Sequence, residues 1–188
     1  MFKKNLVKFI LLAIAAFTLS GCASTIMQQV EPVSLEPLSD KALVTFMRPS
    51  YFGGAIQFGI WDSENFVGVL SAGSSIQYLA DPGEHVFLAR AENWSYVKAE
   101  LEGGKQYYII GKVFPGIWKA RVALDPVNVG DEDAEKVAMW LGKLKPTAVM
   151  PDKLEAYVTP RTEQVKAAVA EIDNGKTKFG VLYKTDGR

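Results

Sequence analysis

Reactive chemistry needs groups that take up protons, hold metals or attack carbon. This chain of 188 residues has one cysteine, Cys22, and one histidine, His85. A single residue of each kind excludes a disulfide framework, a zinc cluster and any site with several histidine ligands. A Ser-His-acid triad would have to run through His85, which follows Asp81-Pro82-Gly83-Glu84 and precedes the apolar Val86 and Phe87. That setting suits a histidine on a sheet face or rim better than a general base. No serine sits in a Gly-x-Ser-x-Gly elbow, and Gly103-Gly104 lacks the following helix that a phosphate loop needs. Asp62, Glu64, Asp81, Glu84 and Glu92 lie near turns, but no spacing pairs them, so a hydrolase is only a remote alternative. The sequence therefore assigns no catalytic residue, no metal and no cofactor.

What remains is binding chemistry, and it is aromatic. Tyr51 and Phe52 precede Gly53-Gly54 in a loop, and Trp61, Trp94 and Tyr96 fall at strand ends. Such rings stack on sugars or peptides when exposed, and fill or cap a core when they are not. The loop Tyr51–Ala55 is the best single contact surface, because glycines beside exposed rings suit recognition. Two functions follow. One is a non-enzymatic structural or protein-interaction module with another protein as partner. The alternative is a module that binds a glycan or small ligand through these aromatics. With 21 basic and 21 acidic residues there is no global basic field, which argues against a nucleic-acid partner.

The first residues place the chain. Lys3, Lys4 and Lys8 precede Phe9–Leu19, an apolar run broken only by Thr18. A basic start and a short apolar core form the layout of a secretory signal, and the run is short for a membrane-spanning helix. It ends in Leu19-Ser20-Gly21-Cys22. This stretch resembles the lipobox of bacterial lipoproteins. The resemblance implies cleavage between Gly21 and Cys22, a covalent lipid on Cys22, and attachment to membrane lipid through it. Asp after the cysteine favours inner-membrane retention in that class. Ala23 therefore implies the outer membrane, facing the periplasm. Losing residues 1–21 removes three lysines and no acid, leaving 18 basic against 21 acidic residues. Anchoring then rests on acyl chains, at about 0.8 kcal/mol per buried CH₂.

The elements that position these residues fall into three stretches. Residues 22–40 read as a lipidated cysteine and tether. Its 18 residues after Cys22 contain Pro32 and Pro37 and no clear period, and could reach roughly 60 Å. Docking through Val30, Val33, Leu35 and Leu38 is the other reading. Residues 41–127 carry short apolar runs between turns: Ala42–Arg48, Ile56–Ile60, Phe66–Leu70, Ile76–Tyr78, His85–Ala91, Val97–Leu101, Lys105–Phe114 and Trp118–Leu124. Their spacing predicts a mainly β domain, an antiparallel β-sandwich of about seven to eight strands. Asp81-Pro82-Gly83-Glu84 has the chemistry of a type II turn.

Several of these pieces carry a second resemblance. Arg48-Pro49-Ser50, Val67-Gly68-Val69, Pro82-Gly83-Glu84-His85, and Gly103-Gly104-Lys105 before Tyr107-Tyr108 are similar to PEGA and carboxypeptidase-regulatory (transthyretin-like) domains. The likeness covers about half the chain. It implies a sandwich of unknown function and transfers no catalytic residue.

Residues 128–188 read as a helical tail packed on the sandwich. Asp131-Glu132-Asp133 opens a helix with Ala134, Val137, Ala138, Leu141 and Leu144 on one face, and Pro146 stops it. Pro151–Tyr157 forms further turns. Thr159-Pro160 starts a second helix striped by Val165, Ala168, Val169 and Ile172, and Asn174-Gly175 caps it. Lys178–Lys184 is a final strand. Such helices serve their own domain's core more often than a partner, so cover of a sheet face is favoured over a docking surface.

Overall fold

The structure, a computed structural model, describes residues 26–31, 40–117, 120–172 and 177–188. The signal segment, the cleavage site at Gly21 and Cys22, Ala23, Trp118, and the cap at Asn174-Gly175 lie outside the described residues. So do Val33, Leu35 and Leu38 of the tether.

The eight runs expected between residues 41 and 127 all form strands. After β1 (Met27–Gln29) come β2 (Ala42–Met47), β3 (Phe58–Asp62), β4 (Asn65–Leu70), β5 (Ser74–Ala80) and β6 (Gly83–Arg90). Next are β7 (Trp94–Leu101), β8 (Gln106–Phe114), β9 (Arg121–Pro126), helix α1 (Glu132–Leu141) and β10 (Lys145–Val149). Helix α2 (Pro151–Val158), a 3₁₀ turn (Thr159–Arg161), α3 (Thr162–Ile172) and β11 (Phe179–Leu182) complete the chain. Of the turn expected at Asp81–Glu84, Gly83 and Glu84 already belong to β6, and Gly83 adopts φ +127°, where a side chain would be strained.

Two expectations are corrected. The described residues hold eleven strands rather than seven to eight, and the sheets are mixed rather than antiparallel. One sheet runs β1-β10-β5-β2-β8-β9, the other β11-β7-β6-β3-β4. Parallel pairs join β2 to β8, β5 to β10 and β7 to β11. Residues after 128 thus supply strands to both sheets and are not only a helical cover.

The missed strands have weak local signals. β1 reads MQQ and β10 reads KPTAV, and neither alternates. They exist through pairing, which local propensity does not encode. Pro146 stops no helix: α1 ends at Leu141, and Pro146 lies within β10, where its carbonyl accepts a hydrogen bond from Val30 N at 3.0 Å. The tether is corrected in the same way. Ile26 is buried, its carbonyl accepts from Met150 N at 2.8 Å, and Met27 pairs with Val149. Ile26, the first described residue, is thus already docked, upstream of all four apolar residues expected to dock.

Period-two alternation divides several strands between two apolar clusters. Val44, Phe46, Phe58, Ile60, Phe87, Val97, Tyr107 and Ile109 belong to a core shared by both sheets. Their alternates face elsewhere. Met47, Tyr108 and Ile110 meet Ala134 and Val137 of α1, together with Leu144. Trp61, Leu88 and Tyr96 meet Val165 and Ala168 of α3. Each sheet is thus covered by helices on one face, as favoured from the helical stripes. Thr159-Pro160 does not start a helix afresh; the 3₁₀ turn carries α2 into α3. In β11 it is Leu182 that is buried, while Val181 and Tyr183 are exposed. Among the described residues no helix is long and apolar enough to cross a membrane.

Candidate functional site

The aromatic residues expected to form one contact surface separate into two places. Trp61 in β3 is on the helix-covered face of its sheet and is buried. Trp94 opens β7 directly opposite Arg90, because Ala91-Glu92-Asn93 closes a tight hairpin between β6 and β7. The two tryptophans line one cleft of about 300 Å³ between this sheet and the helical segment. Arg90, Tyr157, Arg161 and Gln164 line it with them. Tyr96 lies behind, buried, with its ring 6.3 Å from that of Trp94 and 6.0 Å from that of Phe179.

Cations and rings are interleaved here. The Arg90 guanidinium lies 5.1 Å from the Trp94 ring centre, and that of Arg161 lies 3.8 Å from the Tyr157 ring. Arg161 is also fixed by its Nη1, which donates to the Tyr157 carbonyl at 2.7 Å. Phe66 bridges the aromatic set, 4.8 Å from Trp61 and 4.8 Å from Tyr157 between ring centres. Gly59 forms part of the floor. A Cβ there would stand 3.1 Å from Trp61 Nε1 and 3.3 Å from the Tyr157 hydroxyl oxygen. Two donors thus converge over a residue without a side chain. Burial holds the Tyr157 hydroxyl above its ordinary pKa, so it stays protonated.

Arg90, Tyr157, Arg161 and Gln164 were not singled out from sequence. The Arg90–Trp94 pairing was legible, since a cation and a ring flank a short turn between two strands. Tyr157 and Arg161 are four apart on a helical path, but which sheet face they meet is a tertiary fact.

The second place is the loop after β2. Tyr51 and Phe52 are 74% and 60% exposed. Gly53 adopts φ +61° and packs against Val113, and Gly54 follows. The loop is ordered from within. Arg48, fully buried, donates through Nη2 to the carbonyls of Phe52 at 3.0 Å and Gly53 at 2.8 Å, and through Nη1 to that of Ile56. Phe114 and Ile117 are also exposed and line a shallow groove with Phe52.

His85 is mostly buried and faces acid. Its Nδ1 is 2.7 Å from Asp62 Oδ2, and its Nε2 is 2.8 Å from the Asp81 carbonyl. Both neighbours accept, so the arrangement is satisfied only when both ring nitrogens carry protons. The hydrogen bond to Asp62 raises the His85 pKa against the opposing effect of burial. Tyr78 donates to the same Asp62 oxygen at 3.0 Å, and burial followed by the Asp62 charge drives its pKa well up. An imidazolium tied at both nitrogens has no lone pair with which to activate a hydroxyl. Among the described residues no group of three or more His, Cys, Asp or Glu is placed to hold a metal ion.

No protein-family model matches the chain, and no curated protein matches its sequence.

Proposed function

We propose that this chain is a lipid-anchored envelope protein whose β-domain binds rather than catalyses. The observation that carries the binding role is the cleft in which Trp61, Trp94 and Tyr157 share about 300 Å³ with Arg90 and Arg161. Rings with polar donors between them give a small molecule both a stacking face and an orientation. The non-catalytic reading is supported by His85, whose two nitrogens both face acceptors. The two sheets are read as the layers of a sandwich. In support, one apolar cluster draws residues from both, and the turn motifs are similar to those of PEGA and carboxypeptidase-regulatory domains.

The anchor is the second part of the proposal. The lipobox assigns the lipid to Cys22, and Ala23 assigns the outer membrane on its periplasmic side. Three residues separate Cys22 from the buried Ile26, a reach of about 14 Å at most over four Cα–Cα steps. A domain held that closely works beside the bilayer rather than at the end of a long tether. A protein partner is a second reading for the other surface, favoured by the exposure of Tyr51, Phe52, Phe114 and Ile117 together.

Mass spectrometry of the native protein tests the anchor. The expected N-terminus is an acylated Cys22, and Cys22→Ser moves the protein out of the membrane fraction. A chain that still begins at Met1, or a free thiol at Cys22, refutes the placement. Tryptophan fluorescence titrated with cell-wall fragments and sugars tests the binding role. A response lost in Trp94→Ala is expected, and no response across the set refutes it.

A further inference from the structure

We infer that the cleft takes an oxyanion, the carboxylate or phosphate of a small molecule, docked on Arg90. The inference rests on the binding role proposed for the cleft and adds the charge of what enters it. Its first support is the buried Arg90 Nη1, which has no hydrogen-bond partner among the described residues. A guanidinium N–H out of water and unmatched costs stability, and it is held here by stacking on Trp94 and by the hairpin. Arg90 as a whole is only part-buried and lines the cleft, so an acceptor entering there meets the same guanidinium that this nitrogen leaves unsatisfied.

The second support is the sign of the lining. Arg90, Arg161 and the Trp61 indole offer donors only, and the Tyr157 hydroxyl stays protonated. No carboxylate lines the cleft. The ion pairs of the described residues involve neither arginine. Two cations without acidic partners, beside a space whose other polar side chains are the neutral Trp61, Trp94, Tyr157, Gln57 and Gln164, complement an anion. Arg is the side chain whose planar fork matches carboxylate and phosphate oxygens in pairs.

The third support is size. A space of about 300 Å³ lies at the small end of ligand sites, suited to one sugar-sized ring with its acidic group and not to a polymer in cross-section. The aromatic residues provide the ring contact and the optical readout.

The test uses the full chain in detergent and three probes: glucuronate, glucose 6-phosphate and neutral glucose. Tryptophan emission should respond to one or both acidic probes at millimolar concentration and not to glucose. Which acid responds distinguishes a carboxylate ligand from a phosphate one. Arg90→Gln should weaken that response roughly ten- to hundredfold, and Arg90→Lys should restore part of it. Circular dichroism of both variants checks that they fold. If Arg90→Gln does not fold, Arg161→Gln is read in its place, with weakening in the same direction expected. Binding undiminished in the folded variant overturns the inference, as does silence toward both acids. Equal binding of glucose, lost in Trp94→Ala, overturns the charge while leaving the cleft a binding site.

Discussion

Arg48→Met tests the claim that the exposed loop after β2 owes its shape to a buried cation. The wild-type guanidinium is 0% exposed and serves the carbonyls of Phe52, Gly53 and Ile56, with the Phe58 ring 5.7 Å from its Cζ. Hydrogen bonds from a charged donor contribute about 1.5–3 kcal/mol each, so three lost acceptors set an upper bound near 9 kcal/mol. Two effects reduce it. The variant no longer buries a charge, which relieves part of the desolvation cost. The loop carbonyls also lie beside the exposed Tyr51 and Phe52, where water can replace some of the lost donors. A net loss of about 2–4 kcal/mol remains, or a fall in Tm of roughly 4–16 °C for a chain of this size. Urea unfolding measures the first. Chymotrypsin cleavage after Tyr51 or Phe52 reports the loop itself, and should accelerate in native buffer. Arg48→Lys should fall between, because one ammonium cannot span three carbonyls. A loss below about 1 kcal/mol with unchanged cleavage would refute the reasoning.

Two further outcomes follow from side chains around the strands. His85 has a raised pKa in the folded state, through Asp62 first and then the Asp81 carbonyl. The stability it contributes is therefore full below its unfolded value of about 6.5 and is lost as pH rises through the folded value. Urea midpoints should drop on that rise in wild type, and His85→Gln should flatten this part of the profile; an unchanged slope counts against the pairing. Gly59→Ala places a Cβ 3.1 Å from Trp61 Nε1 and 3.3 Å from the Tyr157 hydroxyl. Ligand response in the cleft should fall at least about tenfold while stability changes by no more than about 1 kcal/mol, and the opposite pattern would remove Gly59 from the site.

The strands from Ala42 to Pro126 were legible because each meets its neighbours with a period of two and turns at Asp62–Asn65, Asp81–Glu84 and Gly103-Gly104. Their order and direction were not. The parallel neighbour of β2 is β8, about sixty residues on, and no local signal specifies that pairing. β1 and β10 lie deeper in the same gap, since MQQ and KPTAV become strands only against each other and β5. The site was half legible. Trp61 and Trp94 could be chosen as ring residues, but Trp61 is buried and Tyr51-Phe52 belong to a different surface. Arg90 was not singled out, because the sequence does not reveal that a helix covers that face. Met47, Ile110, Trp61 and Leu88 are buried against the helices, so these alternate positions of the strands are core as well.

That cover limits where function can reside. Where one apolar cluster draws on both sheets and helices bury the alternate side chains, the described strands leave a ligand little open sheet. What is left is loop tips, sheet edges and the seams where a helix does not fully meet the strands below. The cleft is such a seam. Its hairpin wall, Arg90 with Trp94, comes from the sheet, while Tyr157 and Arg161 come from the helical path through the 3₁₀ turn. Val165 and Ala168 hold that path to the sheet by burying themselves against Trp61 and Tyr96. The same apolar contacts that stabilise α3 therefore fix the distance between the two arginine-bearing walls. The 3₁₀ turn contributes by keeping Arg161 one helical step from Tyr157, stacked on its ring and bonded to its carbonyl. A seam built in this way is rigid because of the core rather than in spite of it.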